Sequence, residues 1–371
     1  MSTAQTADRE SPPASAAATL AAAPSIPVDG GHGGRDGGAA AARRRTSALA
    51  ALLLVLLGAA AVGSIVLGSR AIALGDVLQV LTGHGETVAD GGIVEARVAR
   101  TVVGLLVGGA LAVAGAAMQG LTRNPLADPG LLGVNAGAGL AVVVAIAVFG
   151  VGSLSGYVWW AMVGAGLAAV LVHSLASLGG GLTPLRLTLA GAAVTAGLAS
   201  WSSGLLVSSR QSFDSFRFWQ VGTIGGRGLD LVVTVLPFFA VGLVVVLLAV
   251  RRLNALALGD DLARGLGENV LLARATVAVG VAVLCGASTA LAGPIGFLGL
   301  VVPHVARFVV GPDHRRIIPV CLVAGPTLLL AADTVGRLVA PPSEVQAGIM
   351  TAVLGVPFFV VLVRRGRMAS L

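Results

Sequence analysis

The sequence contains no lysine and only a small share of charged side chains. All 24 basic residues are arginines, and charged residues make up 11% of the 371, against 56% hydrophobic residues. Soluble domains usually carry about 25% charged residues. The composition therefore excludes a water-soluble enzyme, and a mean hydropathy of +0.93 indicates a chain that has lipid as its solvent.

The missing lysine excludes two kinds of chemistry. A Walker A loop uses a lysine to reach nucleotide phosphates, and a Schiff base forms on a lysine amine. If ATP drives this protein, another chain must therefore bind the ATP. The sequence also offers no nucleophile–base arrangement, so we predict a protein that acts by moving rather than by catalysing, with no cofactor bound directly.

Cysteine and histidine are too sparse to predict a metal site. Cys285 and Cys321 each lie in an apolar run without a Cys or His partner at ligand spacing, so we interpret them as core residues. His173, His304 and His314 are isolated and are interpreted as helix-end or loop residues. The net charge of +7 comes from arginines that interrupt apolar stretches without forming a basic face, so no nucleic-acid partner is predicted.

Long uncharged stretches predict about ten transmembrane helices, since a spanning helix needs about 20 apolar residues. Residues 1–45, rich in Ala, Gly, Ser and Pro, are predicted to be a disordered cytoplasmic tail, and 46–367 the transmembrane domain. Breaks are expected near Gly150–Gly156 and at Gly293–Gly296. The predicted spans are 46–69, 101–122, two within 129–185, 187–209, about 231–250, two within 275–306, 317–339 and about 345–363.

Glycine makes up 53 of the 371 residues, so G-x-x-x-G patterns arise by chance. Pairs such as Gly104/Gly108 and Gly133/Gly137 therefore carry little weight individually. Collectively the glycines predict tightly packed helices, because small residues let backbones approach each other in lipid.

The distribution of arginine predicts the orientation. With both termini in the cytoplasm, fifteen arginines fall on cytoplasmic loops and flanks and seven fall outside. Cytoplasmic loops carry the excess of positive charge in membrane proteins. This asymmetry favours cytoplasmic N- and C-termini.

Residues 251–274 form the most patterned cytoplasmic stretch. The segment is too polar to span, Gly259 and Gly267 divide it into two short helices, and Asp260 and Asp261 suit the start of the second. Leucines recur along it. Two interpretations stay open: a solvated interfacial helix, or a docking element that fits a groove on another protein.

Five long motifs resemble the iron-siderophore and vitamin B12 ABC-importer permeases over about residues 70–367. They are LGDDLARGLG (258–267), QGLTRNPLADPGLLGVNAGAG (119–139), LRLTLAGAAV (185–194), LAGPIGFLGLVVPHVARFVVGPDHRR (291–316) and ADTVGRLVAPP (332–342). Within that family, VNAGAG, FRFWQVGTIGG (216–226) and LCGASTALAGPI (284–295) are most similar to the ferric-enterobactin permease branch.

The resemblance implies an all-α, type II ABC-importer permease with ten helices per subunit, multi-pass in the cell membrane. It implies a second permease subunit, related or identical, together with two cytoplasmic ATPases that use the ATP and an extracytoplasmic siderophore-binding protein. The implied cargo is a ferric siderophore, with haem or a cobalamin as the alternative. An ATP-independent secondary transporter is disfavoured because the spans lack an acid–base relay. An inert structural protein is disfavoured by helix breaks around Pro294 and Pro303.

The resemblance also implies three sets of site residues. External arginines that dock the binding protein match Arg97, Arg100 and Arg337, although Ala99 stands where the family pattern R-x-P-R has proline. For Arg337 the alternative is an ion pair with Asp333, four residues earlier. The cytoplasmic gate maps to Thr183, Pro184 and Leu185, at the start of the fifth helix. The segment that couples to the ATPase maps to Leu258, Gly259, Asp260, Asp261, Ala263, Arg264, Leu266 and Gly267.

Overall fold

A computed structural model describes residues 35–68, 70–84, 91–178, 183–341 and 343–364. The chain divides into two units, Met1–Leu49 and Ala50–Leu371. Residues 1–34 of the predicted tail lie outside the described residues, and the first helix begins at Arg35, ahead of the predicted boundary at residue 46.

The described ranges fold into α-helices and contain no strand. A π-helical turn spans Val80–His84, and a 3₁₀ turn spans Pro129–Leu132. The helices are α1 Arg35–Val66, α2 Leu74–Gln79, α3 Gly91–Thr122, α4 Val134–Ala147, α5 Leu154–Ser177, α6 Pro184–Val207, α7 Arg210–Gln220, α8 Leu229–Leu248, α9 Val250–Ala257, α10 Asp260–Gly265, α11 Val270–Ala292, α12 Leu298–Val310, α13 His314–Val339 and α14 Ala347–Arg364.

Seven of these helices, α1, α3, α5, α6, α8, α11 and α13, are long and apolar enough to cross a membrane. The apolar helices α4, α12 and α14 are shorter, with 10–17 residues in the apolar part. The all-helical class predicted from the apolar runs is confirmed. The number of ten spans and the cytoplasmic termini stay predictions.

Both predicted breaks coincide with helix ends. Helix α4 ends at Ala147, and α5 begins after Ser153, whose hydroxyl accepts a hydrogen bond from the amide of Gly156 at 3.2 Å. Helix α11 ends at Ala292 and α12 begins at Leu298. Gly293, with φ 75°, turns the chain out of α11, because glycine adopts positive φ without steric cost.

The helix that contains the predicted second span, 101–122, begins earlier in the chain, at Gly91. Arg97 and Arg100 precede the apolar run 101–122 in sequence, yet both lie inside α3 and are buried. Buried charges are tolerated where they are paired and hydrogen-bonded, and the partners of these two come from distant parts of the chain.

Helix α3 lies at the centre of the second unit, packed against α13, α11, α12 and α8. A Cβ atom on Gly108 would collide with the backbone of Gly325 and Pro326 in α13, and one on Gly137 in α4 would collide with Gly164 in α5. In each of the two G-x-x-x-G patterns, one glycine, Gly108 or Gly137, makes the close backbone contact. Each lets two backbones approach more closely than any side chain allows.

Candidate functional site

The predicted coupling segment folds as two short helices, as its glycines indicated. Helix α9 ends at Ala257, and Gly259, with φ 108°, separates it from α10. A second turn at Gly267, with φ 85°, follows α10. No atom of the described chain lies within 4 Å of where a Cβ would stand on either glycine. Backbone conformation, rather than close contact within the chain, therefore requires glycine at both positions.

One face of the coupling segment is apolar and open. Leu258, Leu262 and Leu266 are 57%, 61% and 66% exposed. They recur every four residues, with Leu258 at the end of α9, Leu262 inside α10 and Leu266 directly after α10, so exposed leucines continue across the break at Gly259. Ala263 is fully buried against the rest of the chain. The segment is therefore two-faced, with a leucine row left for lipid or for another protein.

Asp260 connects α10 to two long helices. Its carboxylate forms an ion pair with Arg123, the residue that follows α3. The same carboxylate accepts hydrogen bonds from Nη2 of Arg274, in α11, at 2.9 and 3.0 Å. Asp261, the next residue, is fully exposed and pairs only locally, with Arg264 at 3.0 Å. The two adjacent acids thus have different surroundings.

A second polar junction joins α9 to the start of α13. Asp313 caps α13 by accepting from the amide of Arg315 at 2.9 Å, and it also accepts from the side-chain amide of Asn254 at 2.6 Å. The hydrogen bond from the Arg315 amide is the main cause that lowers the pKa of the Asp313 carboxyl, and the Asn254 amide and the nearby arginines add to it. Asn254 Oδ1 in turn accepts from the amide of His314 at 2.9 Å.

At the other end of α3, Arg100 and Arg337 share one buried acid. Asp333 is fully buried and accepts two hydrogen bonds from Arg100, each at 2.8 Å. Arg337 forms an ion pair with the same carboxylate at 3.3 Å. Glu344, whose side chain is 41% exposed, pairs with Arg100 at 2.7 Å. The alternative partner considered for Arg337, Asp333, is thus present in the structure.

Arg97 and Arg337 also hydrogen-bond to the carbonyls where α1 ends. Arg97 Nη1 donates to the carbonyl of Ile65 at 2.9 Å and to that of Val66 at 3.1 Å. Arg337 donates to the carbonyl of Ser64 at 2.9 Å. The last carbonyls of a helix have no partner within it, and cations interact favourably there. The sequence analysis missed this role.

These three arginines line a pocket of about 170 Å³. Ile93, Ala96 and Glu344 also line this pocket. The structure therefore brings the three predicted docking residues together. Each of the three residues is at most 9% exposed, and their guanidinium groups already bind partners within the chain. Their docking role stays a prediction.

The predicted gate residues lie where α6 begins. Thr183 caps the helix by accepting from the amide of Arg186 at 3.3 Å, and Pro184 occupies the first helical turn. Proline is well suited to this position because its missing N–H would have no partner within the helix. Leu185 is 68% exposed. The helix start is confirmed, and the gating role stays a prediction.

Sequence reasoning also missed a larger cavity of about 480 Å³ between α4, α6 and α7. Phe213, Phe216 and Trp219 form its aromatic wall, and Asn135 and Ser202 contribute polar groups. The residues that line it are spread over about 160 positions of sequence. No local pattern in the sequence signals such a cavity.

The described residues contain no group of three or more His, Cys, Asp or Glu side chains that could hold a metal ion. Cys285 and Cys321 are both buried in the core, as interpreted from the apolar runs. The absence of a resident metal or cofactor stays a prediction.

Comparison with known proteins decides the family. Residues 52–365 match the FecCD transport family. The chain belongs to this family. The match covers every helix from α2 to α14 and the last part of α1. This chain is thus a transport permease of the FecCD family, with several helices capable of spanning a membrane.

Individual FecCD-related proteins match most of the chain. The ferric enterobactin transport system permease protein of Escherichia coli strain K12 is 44% identical over 304 residues, covering 81% of this chain and 90% of the relative. The iron(3+)-hydroxamate import system permease protein of Bacillus subtilis strain 168 is 41% identical over 306 residues, covering 82% and 79%. Their cargoes are different iron chelates, so identity at this level does not decide the cargo of this chain.

The fold also resembles a solved structure. A metal-chelate type ABC transporter in an inward-facing conformation matches with a TM-score of 0.69 and 28% sequence identity, covering 84% of this chain and 97% of that one. The FecCD-family fold therefore extends over nearly all of the solved chain.

Proposed function

We propose that this chain is the membrane-spanning permease subunit of an ABC importer that moves a ferric siderophore across the cell membrane. Two separate cytoplasmic ATPases hydrolyse the ATP, a second permease completes the translocation path, and an extracytoplasmic binding protein delivers the chelate. Membership of the FecCD family over residues 52–365 is the observation that carries the proposal. The lack of lysine agrees with ATP binding to another chain.

The two-faced coupling segment supports the ATPase partner. A row of apolar side chains exposed on short helices is a typical ligand for a hydrophobic groove. Leu258, Leu262 and Leu266 form such a row, and the opposite side of the segment is anchored to α3 and α11. The partner in this proposal is an ABC ATPase that accepts the leucine row in a groove.

The proposed topology has ten spans with both termini in the cytoplasm. The seven long apolar helices and the three shorter ones supply ten apolar segments. At about 1.5 Å per residue, Arg100 and Arg123 lie about 34 Å apart along α3, more than the hydrocarbon thickness of about 30 Å. The Arg100 cluster and the Arg123–Asp260 pair then lie on opposite sides of the bilayer, outside and cytoplasmic respectively.

Uptake by a strain deleted for this chain tests the cargo. Radiolabelled ferric enterobactin, a ferric hydroxamate chelate, haem and cobalamin are offered separately, with and without the restored wild-type chain. We expect the chain to restore uptake of a ferric siderophore only. Restored uptake of haem or cobalamin alone would assign the other cargo. Uptake that persists after loss of the partner ATPase would instead indicate a secondary transporter.

Arg97, Arg100 and Arg337 remain the proposed docking site for the binding protein, through the pocket that they line. Reversing their charge is a poor test, because it would also break the buried pairs. Cross-linking avoids this problem. Ile93, which is 40% exposed and lines the pocket, is replaced by cysteine, and Leu262→Cys at the opposite end serves as control.

We expect Ile93→Cys to form a disulfide with cysteines placed at acidic surface positions of the loaded binding protein, and Leu262→Cys to form none. The two native cysteines are buried and should contribute no background. Failure of every such pair to cross-link, with transport intact, would place the docking site elsewhere.

A further inference from the structure

The two acids that begin α10 differ in a way that the docking function alone does not explain. Asp261 is fully exposed and pairs only within its own turn, with Arg264. The side chain of Asp260 is 27% exposed and is held by Arg123 and by Arg274. Docking a partner on the leucine row requires neither of these long-range pairs. Asp260 therefore joins α10 to α3 and α11 for another reason.

The joined helices are the central ones. In the most apolar 18-residue stretch of α3, 83% of the residues are buried inside the protein. The corresponding share for α11 is 61%, and these are the two highest values among the long apolar helices described. Arg123 stands directly after α3, in a left-handed backbone conformation with φ 50°. Non-glycine residues adopt this region rarely. Helix α10 packs against α9 and α11. The ion pair between Asp260 and Arg123 also connects α10 to the end of α3.

The helix that carries Asp260 is bounded by two glycines. Gly259 and Gly267 adopt positive φ and have open space around them. Residues that absorb φ/ψ changes at the ends of an element act as hinges for its motion. A rotation about these two glycines would move α10 with its exposed Leu262 and with Asp260 together.

We propose that Asp260 is a positioning residue that transmits the movement of the docked coupling segment to α3 and α11. The two ion pairs convert a push on the leucine row into a displacement of the cytoplasmic ends of the central helices. This inference rests on the proposed function, because it takes the ATPase as the source of the push. Without the carboxylate, Arg123 and Arg274 would face each other as like charges, and the link would be lost.

The test compares Asp260→Asn with Asp214→Asn, a control outside the coupling segment, in the assembled importer, reconstituted with its partner permease, ATPases and binding protein in liposomes. Radiolabelled ferric enterobactin transported and ATP hydrolysed are measured on the same vesicles. We expect Asp260→Asn to assemble and to hydrolyse ATP while it transports about tenfold less chelate per ATP, the scale of one lost charge-assisted contact. Asp214→Asn, which removes an exposed acid of α7 that pairs locally with Arg217 at 3.4 Å, should match the wild type.

Two further variants separate positioning from simple destabilisation. Asp260→Glu keeps the charge and should recover part of the transport per ATP. Arg123→Gln removes only the link to α3 and should uncouple the importer while the pair between Asp260 and Arg274 remains. Thermal unfolding midpoints in detergent show whether each variant is folded. A general loss of stability would lower transport and hydrolysis together and leave their ratio unchanged.

Several outcomes overturn the proposal. Asp260→Asn and Arg123→Gln with wild-type transport per ATP would show that the pairs transmit nothing. Failure of Asp260→Asn to bind the ATPase, with a normal unfolding midpoint, would make Asp260 a docking residue instead. A wild-type complex that transports no ferric chelate would contradict the proposed function itself, so the two failures are distinguishable.

Discussion

At the residue scale, Asp333 neutralises two arginines inside the protein. It is fully buried between Arg100 and Arg337. Removing one partner of a buried ion pair leaves an uncompensated charge and typically costs about 3–5 kcal/mol. The loss here affects two guanidinium groups together, so we expect the contact between α3 and α13 around Asp333 to depend strongly on this side chain.

We therefore predict that Asp333→Ala lowers the free energy of unfolding by about 3–5 kcal/mol. Glu344→Gln is the control, because Glu344 pairs with Arg100 but is 41% exposed and should contribute only about 0–1 kcal/mol. Denaturant unfolding in detergent measures both. An equal, small effect of the two substitutions would contradict the assignment of Asp333 as the essential counter-ion.

Asp313 provides a prediction on pH. Its pKa is lowered in the folded protein, chiefly by the amide of Arg315, so the carboxylate stabilises the fold fully above the ordinary Asp pKa of about 3.9. This stabilisation is lost as the pH falls through the lowered pKa. Asp313→Ala should therefore lower stability by about 1 kcal/mol at about pH 7, as the loss of an N-cap does, and by less at about pH 3.

Unfolding midpoints of wild type and Asp313→Ala at the two pH values check this prediction. Asp261→Ala serves as control, because Asp261 is fully exposed and caps no helix. A difference between wild type and Asp313→Ala that stays constant with pH would mean that the ionised carboxylate contributes nothing.

At the element scale, close backbone contact decides how α4 and α5 pack. Gly164 faces Gly137 so closely that a Cβ atom would collide with the carbonyl of Gly137, whereas a Cβ on Gly166, two residues later on α5, would meet nothing within 4 Å. The two glycines form a matched pair, because they share a helix and differ only in their neighbours.

We predict that Gly164→Ala lowers the free energy of unfolding by about 1–3 kcal/mol, the usual cost of overpacking, and that Gly166→Ala leaves it unchanged or slightly raised, since alanine is the better helix former. Unfolding in detergent distinguishes the two variants. Equal effects would show that the α4–α5 contact can move apart without cost.

At the scale of the whole molecule, many large apolar side chains are exposed along the described helices. Helices α1 and α6 are mostly exposed, with 6% and 17% of their apolar windows buried inside the protein. Such surfaces suit lipid or a second membrane subunit. The proposed function assigns the ATP-hydrolysing step to another chain.

We therefore predict that the purified chain does not hydrolyse ATP. The physical reason is the absence of lysine and hence of a P-loop, so no group on this chain can cradle and polarise the phosphates as Walker A proteins do. Phosphate release is measured for the chain alone and after addition of its ATPase partner. Turnover by the chain alone, unchanged in a sample freed of contaminating ATPases, would contradict its assignment as a permease subunit.

Much of the fold follows from local properties of the sequence. Apolar runs of sufficient length predict the helices, and glycine and proline predict the breaks before α5 and α12. Gly259 and Gly267 predict the division of the coupling segment, since a positive φ is a local requirement that glycine meets without cost. These features could be predicted because each depends on residues only a few positions apart.

Tertiary structure alone decided where the buried charges find their partners. Arg100 pairs with Asp333 over 233 positions of sequence, and Arg123 pairs with Asp260 over 137. A charge inside a membrane protein requires a counter-charge or carbonyl groups, but this requirement does not say which distant residue provides it. For that reason Arg97 and Arg100 were expected just ahead of the second span, in contact with another protein. Their burial follows from the packing of α3 against α1 and α13, which brings the α1 carbonyls and Asp333 to them.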